Sequence, residues 1–267
     1  TPYMLHPNVV PYITDDRMAW GDPNVEAAGK AVVEGWLEVA ENIGFYEYFY
    51  GAYYNLPRIY MQQMDKNYKY GGEHGVIGHV AELNPNWGEG PKPWVSAKLQ
   101  WNPDQDVDTL LNDWYVSAVG EQAAPYLQQY YEYWEQIWST RMFQSKWYQA
   151  WVNAPERNNY LSFTDQRYLL EITKEDIAIT RNLLEQVVSI VETDAQKKRA
   201  DLLMRSFEFY EASALSYPFD GEVDVPETEQ AAIELLDDIR TSLDMATKRT
   251  ALIEQFTGHP FLDLHNR

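Results

Sequence analysis

The chain has 267 residues, with 41 acidic against 21 basic side chains and a formal charge of -20. A surface of that sign repels a phosphate backbone, so nucleic acid is excluded as a partner. Cysteine is absent, which removes disulfides, thiolate metal sites and a cysteine nucleophile, and no apolar run approaches the roughly 20 residues of a membrane span, so membrane insertion is not expected.

In chain order, Leu5 to Ile13 (LHPNVVPYI) reads as a buried strand that leaves Asp15 and Asp16 at its carboxyl end. An N-terminal portion, with room in it for a signal peptide, is expected to precede Thr1, because the chain starts with Thr rather than Met and enters this strand almost at once. Asn24 to Ala40 spaces Val25, Ala28, Val32, Val33 and Trp36 as a one-faced helix, with Asp22 as cap and Pro23 at the first position. Gly44 to Tyr50 is a second strand, rich in aromatic side chains that favour β structure. A helix from Pro57 to Tyr70 follows, then a third strand from Gly75 to Glu82. Strand, helix, strand, helix, strand is the rhythm of a parallel sheet.

Beyond Glu82 the periods are helical: Lys92 to Trp101, then Val107 to Val119 with Asp104 or Asp106 as cap, then Pro125 to Met142. The last carries an aromatic stripe, Tyr130, Tyr133, Trp134, Ile137 and Trp138, which reads as core. Asn153 to Asp165 is a polar break and a candidate boundary. Thr173 with Asp176, and Thr193 with Gln196, predict capping boxes for two long helices ending near Val191 and Tyr217, and Pro226 opens a last helix to about Phe256.

Three parallel strands followed only by helices leave exposed sheet edges that something must cover. The expected fold class is α/β plus all-α: the C-terminal part of a (β/α)8 TIM-like barrel, about three parallel strands, followed by a helical bundle domain. The corresponding division is residues 1–122 for the barrel part and 123–267 for the helical domain. The absent half of the barrel becomes an expected partner, supplied by preceding residues of the same protein.

The segments FYEYFYG, LPRIY, GVIGHVAELNPNWG, AKLQWNPDQDVDTLLNDWY and YYEYWEQIW resemble a family of uncharacterised bacterial proteins, a domain of unknown function with glycoside-hydrolase-like barrels. This resemblance runs from Pro7 to about Pro218. A more distant likeness, at Asn86, Trp87, Leu99, Trp101, Asn102, Pro103 and Trp114, links the chain to the α-glucuronidases of glycoside hydrolase family 67. Those enzymes have Ala where this chain has Gln100, and their catalytic acid lies on an earlier strand. What the resemblance implies is a glycoside hydrolase, or a carbohydrate-binding or scaffold module that kept the barrel, acting on a polysaccharide or oligosaccharide outside the cell or in the periplasm.

Glycoside hydrolysis generally needs two carboxyl groups across the scissile bond, and barrel enzymes carry them at the carboxyl ends of strands. Glu47 and Glu82 are the catalytic candidates on that rule. Glu47 is a lone acid among Phe45, Tyr46, Tyr48, Phe49 and Tyr50, where desolvation raises a carboxyl pKa; its structural alternative is a buried support bonded to tyrosines or to Arg58. Asp15, Asp16, Tyr50, Asn86 and Trp87 are the substrate-binding candidates, and Arg17 stands ready to pair with either aspartate. His74 and His79 lack metal-ligand spacing and read as structural. The acidic run from Glu222 to Glu229 reads as a solvated loop, with a weak calcium site as its alternative. Neither a metal nor a cofactor is called for. A third reading makes the aromatic helices an assembly interface.

Overall fold

The computed structural model describes residues 3–49, 54–219, 221 and 223–265. The fold is mixed α/β. Among these residues β1 (Tyr12–Thr14), β2 (Ile43–Tyr48) and β3 (Val76–Glu82) form one parallel sheet in the order β1–β2–β3. The first strand is shorter than the apolar run around it. Pro7 and Pro11 have no N–H to give to a ladder, and pairing begins only where the Pro11 carbonyl accepts from Gly44 N at 2.9 Å.

The two crossovers are helical. Helix α1 (Pro23–Leu37) starts where the Asp22 side chain accepts from Asn24 N and Pro23 supplies a pre-set φ at the first position. Helix α2 (Met61–Glu73) starts four residues later than the sequence pattern predicts. Pro57 and Arg58 are held outside it: the Pro57 carbonyl accepts from Trp138 Nε1 at 2.7 Å, and Arg58 N donates to Glu89 Oε2 at 3.3 Å.

A short 3-10 turn (Trp87–Glu89) then leads into α3 (Lys92–Trp101) and α4 (Val107–Val119), the latter capped by Asp106. Helix α5 (Ala124–Gln136) does not run unbroken to Met142; it passes into a π-helical turn (Ile137–Arg141), the short α6 (Met142–Gln144) and α7 (Lys146–Val152). Its aromatic stripe is core, with Tyr130, Tyr131, Trp134 and Trp138 buried. After a segment without helix or strand and a 3-10 turn (Gln166–Glu171) come α8 (Lys174–Ile190), α9 (Asp194–Leu215) and α10 (Glu229–Phe256). The capping boxes at Thr173/Asp176 and Thr193/Gln196 are both formed.

Buried apolar side chains from Ile13 to Leu264 belong to one contiguous cluster. Helix α5 packs on α4 and α8, and α9 packs on α4, α8, α10 and the turn after β3. The tail returns to the sheet end: Leu262 bridges Asn86, Trp87 N donates to the Phe261 carbonyl at 2.7 Å, and Leu262 and Leu264 are buried. No described helix is long and apolar enough to cross a membrane.

Candidate functional site

Side chains alternate across a strand, so register decides which of them share a face. Ile43 pairs with Val76, but Gly44 pairs with Gly78, because a bulge at Ile43/Gly44 inserts one residue into β3. From there on Glu47 lies beside Ala81, and Tyr48 beside Glu82. Glu47 and Glu82 therefore project to opposite faces of the sheet. The structure does not bring this pair together.

The face that carries Ile13, Phe45 and Glu47 is covered by α2 and by a 3-10 turn (Arg17–Gly21) that follows β1 directly. That turn swings Arg17 beneath the strand ends. Its guanidinium lies 3.5 Å from the centre of the Phe45 ring and 2.7 Å from Glu47 Oε1, and Arg17 and Glu47 are both buried. Arg58 pairs with Asp16, not with Glu47, and donates to the Tyr48 carbonyl at 3.0 Å. The arginine next to the aspartates in sequence thus reaches across to β2, while Arg58 crosses 42 residues to Asp16. The backbone direction of the 3-10 turn is the reason.

A third buried pair, Glu89 with Lys92, lies alongside, and Lys92 Nζ also donates to the carbonyls of Phe49 (3.2 Å) and Arg58 (2.9 Å). Three cations and three carboxylates thus alternate at the carboxyl ends of the strands. Burial pushes the Glu47 carboxyl up to about 7, and Arg17 only partly offsets it. Burial alone would lower the Arg58 guanidinium, but Asp16, with Tyr54 and Tyr60, holds it above its ordinary value. Burial holds Lys92 below its own, against the pull of Glu89.

The aspartates serve the same layer. Asp16 Oδ2 accepts from Leu161 N at 3.1 Å, and Asp15 Oδ2 accepts from Trp20 Nε1 at 2.7 Å. Burial also raises the Asp15 carboxyl. His79 sits edge-on to Phe45 and Tyr68 on this face, and burial pushes its imidazole down to about 4.

Among the described residues no helix covers the opposite face. Tyr12 lies across Gly44 and Gly78, where a Cβ would come within 2.5 Å of its ring and 2.8 Å of its hydroxyl respectively. Beyond it Glu82 accepts the Tyr46 hydroxyl, a contact that pushes the phenol up to about 12. Tyr46 meets Tyr48 at 5.5 Å between ring centres, Tyr48 meets Tyr160 at 4.9 Å, and Tyr160 stacks on Phe163 at 5.7 Å. This row is half-exposed and, among the described residues, contains one carboxylate on the sheet.

Past the end of β3, Asn86 is buried: its Oδ1 accepts from Gly88 N (3.1 Å) and from the Tyr210 hydroxyl (3.0 Å), fixing the loop to α9. Trp87 rests on Trp114 and donates Nε1–H to the Arg199 carbonyl at 3.2 Å. A cavity of about 470 Å³ opens beside it, walled by Phe49, Trp87, Trp94, Trp114 and Phe261, with Glu89 and Lys92 at its base. Glu89 Oε1 is buried without a hydrogen-bond partner among the described residues. Glu89 and Lys92 are residues that sequence reasoning missed. Their three-residue spacing across a Gly-Pro turn was the available signal. Tyr50 lies outside the described residues, as does Glu222. Among the described residues no group of three or more His, Cys, Asp or Glu side chains is arranged to hold a metal.

Residues 3–132 match the family model described as Domain of unknown function (DUF4838). The match supports a domain-of-unknown-function family for this stretch. The DUF4838 match takes in all three strands, the ionic layer and the Trp87 loop, and ends inside α5. No curated protein and no solved structure matches the chain.

Proposed function

We propose that this chain contributes closing strands of a glycoside-hydrolase-like barrel and holds a polysaccharide or oligosaccharide outside the cell or in the periplasm. The observation that carries the reading is the open sheet face, a half-exposed row of tyrosines around Glu82 at the carboxyl ends of parallel strands. Parallel sheets are ordinarily covered on both faces, so an uncovered one with unpaired outer edges fits a sheet that further strands complete into a barrel. Aromatic faces with a few fixed polar groups are what a pyranose ring requires. In this reading Glu82 makes the polar contact or proton transfer, Tyr46 and Tyr48 form the wall, and the Trp87 cavity is an adjoining subsite. Glu47 acts from behind the sheet, through the ionic layer that sets the strand ends.

The second reading is a binding module without hydrolysis. It is favoured because, among the described residues, no second acid stands beside Glu82 on its face of the sheet, and hydrolysis generally needs two carboxyl groups across the bond. Calorimetry of the full-length protein against a glycan panel, run beside reducing-sugar release, separates the two. Binding that weakens about tenfold in Tyr48→Ala, with release lost in Glu82→Gln, supports the enzyme. Binding without release supports the module. If no glycan in the panel binds saturably, both readings fail.

A further inference from the structure

Where the tyrosine row ends, at Phe163, a second cavity of about 530 Å³ opens between the segment before α8 and the helices α9 and α10. Its wall is mixed, with Phe163, Leu169 and Tyr217 beside the polar Asn55, Gln166 and Ser213, and among the described residues one charged side chain lines it, Arg249. In a chain with 41 acidic against 21 basic residues, a sheltered arginine would be expected to find a carboxylate. This one does not.

Arg249 Nε donates to Ser213 Oγ at 3.1 Å, and Nη2 reaches Asn55 Oδ1 at 3.4 Å. The guanidinium rests over the Phe209 ring, 5.3 Å from its centre. Neighbouring Lys248 is paired with Glu211 at 2.9 Å, and Arg181 is paired with the same carboxylate, so Glu211 is engaged elsewhere. Among the described residues no acid lies within ion-pair distance of Arg249, and three of its five N–H groups are left for whatever enters the cavity. Burial without a counter-charge holds the guanidinium below its ordinary pKa. Asn55 is itself held in place, its Nδ2 donating to Gln166 Oε1 at 2.5 Å and its backbone N donating to the Tyr168 hydroxyl at 2.9 Å. The acceptor side of the cavity is thus pre-set around the cation.

We propose that this cavity is an anion-binding site, in which Arg249 receives an oxyanion carried by a polar ligand, flanked by Gln166, Thr164 and Ser213. A guanidinium fork with free N–H groups binds carboxylate and tetrahedral oxyanions in the same way, through paired charge-assisted hydrogen bonds. The long-range field of the protein opposes anions, so affinity must come from these short contacts and from their seclusion. The site does not depend on the carbohydrate reading of the sheet face.

The test is calorimetry and thermal unfolding of the full chain in acetate, inorganic phosphate and sulfate, each against chloride at matched ionic strength. Saturable binding of acetate alone identifies a carboxylate ligand; saturable phosphate or sulfate identifies a tetrahedral one. Arg249→Met is expected to weaken the binding about tenfold or more. Asn55→Asp, which places a carboxylate within reach of the guanidinium in exchange for the Nδ2 bond to Gln166, is expected to abolish binding while the chain stays folded, as far-UV circular dichroism would record. Should Arg249→Met fail to fold, Asn55→Asp decides alone. Wild-type protein that binds none of the three anions saturably, or equal binding by wild type and Asn55→Asp, overturns the proposal.

Discussion

At the scale of single residues, the helix-covered face of the sheet contains two groups whose titrations oppose each other. The Glu47 carboxyl rises from 4.5 to about 7 on folding, so its stabilising contribution is complete below pH 4.5 and is lost as pH rises through 7. The His79 imidazole falls from 6.5 to about 4, so its contribution is complete above pH 6.5 and is lost as pH falls through 4. Where these windows overlap, from about pH 4.5 to about pH 6.5, the two slopes offset each other. Glu47→Gln removes one of them: relative to wild type, the variant is expected to gain on the order of 3 kcal/mol between pH 4 and pH 8. Urea unfolding at a series of pH values checks this. A difference that stays constant over that range would mean that Glu47 remains ionised against Arg17 throughout. Desolvation among aromatic side chains was readable at Glu47 from its neighbours in sequence; its partner was not, because Arg17 and Glu47 are brought together by a turn 30 residues away.

At the scale of elements, the N-terminus of α8 is a clamp as well as a cap. Asp176 accepts from Thr173 N and its hydroxyl, from the Tyr133 hydroxyl at 2.7 Å, and from Arg141 at 2.5 and 3.0 Å. Burial would raise this carboxyl, but Arg141, Thr173 and Tyr133 bring it down to about 2. Asp176→Asn is expected to cost about 2 kcal/mol at pH 7, since it weakens several charge-assisted hydrogen bonds at once. The cost should fade as pH falls from 3.8 through about 2, where the wild-type carboxyl protonates, and chemical denaturation at pH 7, pH 3 and pH 2 follows the decline. Thr173→Ala, which removes only the cap, is expected to cost about 1 kcal/mol.

The loop after β3 offers a second test at this scale. Gly90 has φ +60°, and a Cβ there would lie 2.3 Å from the buried Tyr131 ring. Gly90→Ala is therefore expected to cost about 2 kcal/mol or more, from backbone strain and overpacking together. A melting temperature equal to wild type would show that this loop is not seated on α5.

At the scale of the molecule, the tail closes the structure. Leu262 and Leu264 are buried, and the 259–264 segment hydrogen-bonds the Trp87 loop. Truncation after Thr257 is expected to cost about 3 kcal/mol or more, at roughly 1.5–3 kcal/mol for each buried leucine. It should also expose Trp87, which a red shift in tryptophan emission would register. Stability and emission unchanged from wild type would contradict this seal.

The existence of the three strands and of most helices, the buried aromatic stripe of α5 and the caps at Asp22, Thr173 and Thr193 could be read from the sequence; the short β1, the late start of α2, the break after Gln136 with α7 behind it, and the choice of Asp106 over Asp104 could not. The legible features follow from periodicity within a window of a few turns and from bonds spanning two or three residues. The site could be read only in part. Asn86 and Trp87 do stand at a cavity, and Asp15 and Asp16 do stand at the end of β1, but Asp16 is held in the ionic layer by Arg58 and Asp15 is bonded to Trp20. Which face each carboxylate takes was settled by one extra residue in β3. Without the bulge at Ile43/Gly44, Glu47 and Glu82 would share a face; with it, one lies under the helices and the other on the open surface. A bulge arises from how two strands settle against their neighbours, here with Tyr12 across Gly44 and Gly78. Local pattern therefore determined what the chain builds, and tertiary register alone determined which side of the sheet its chemistry faces.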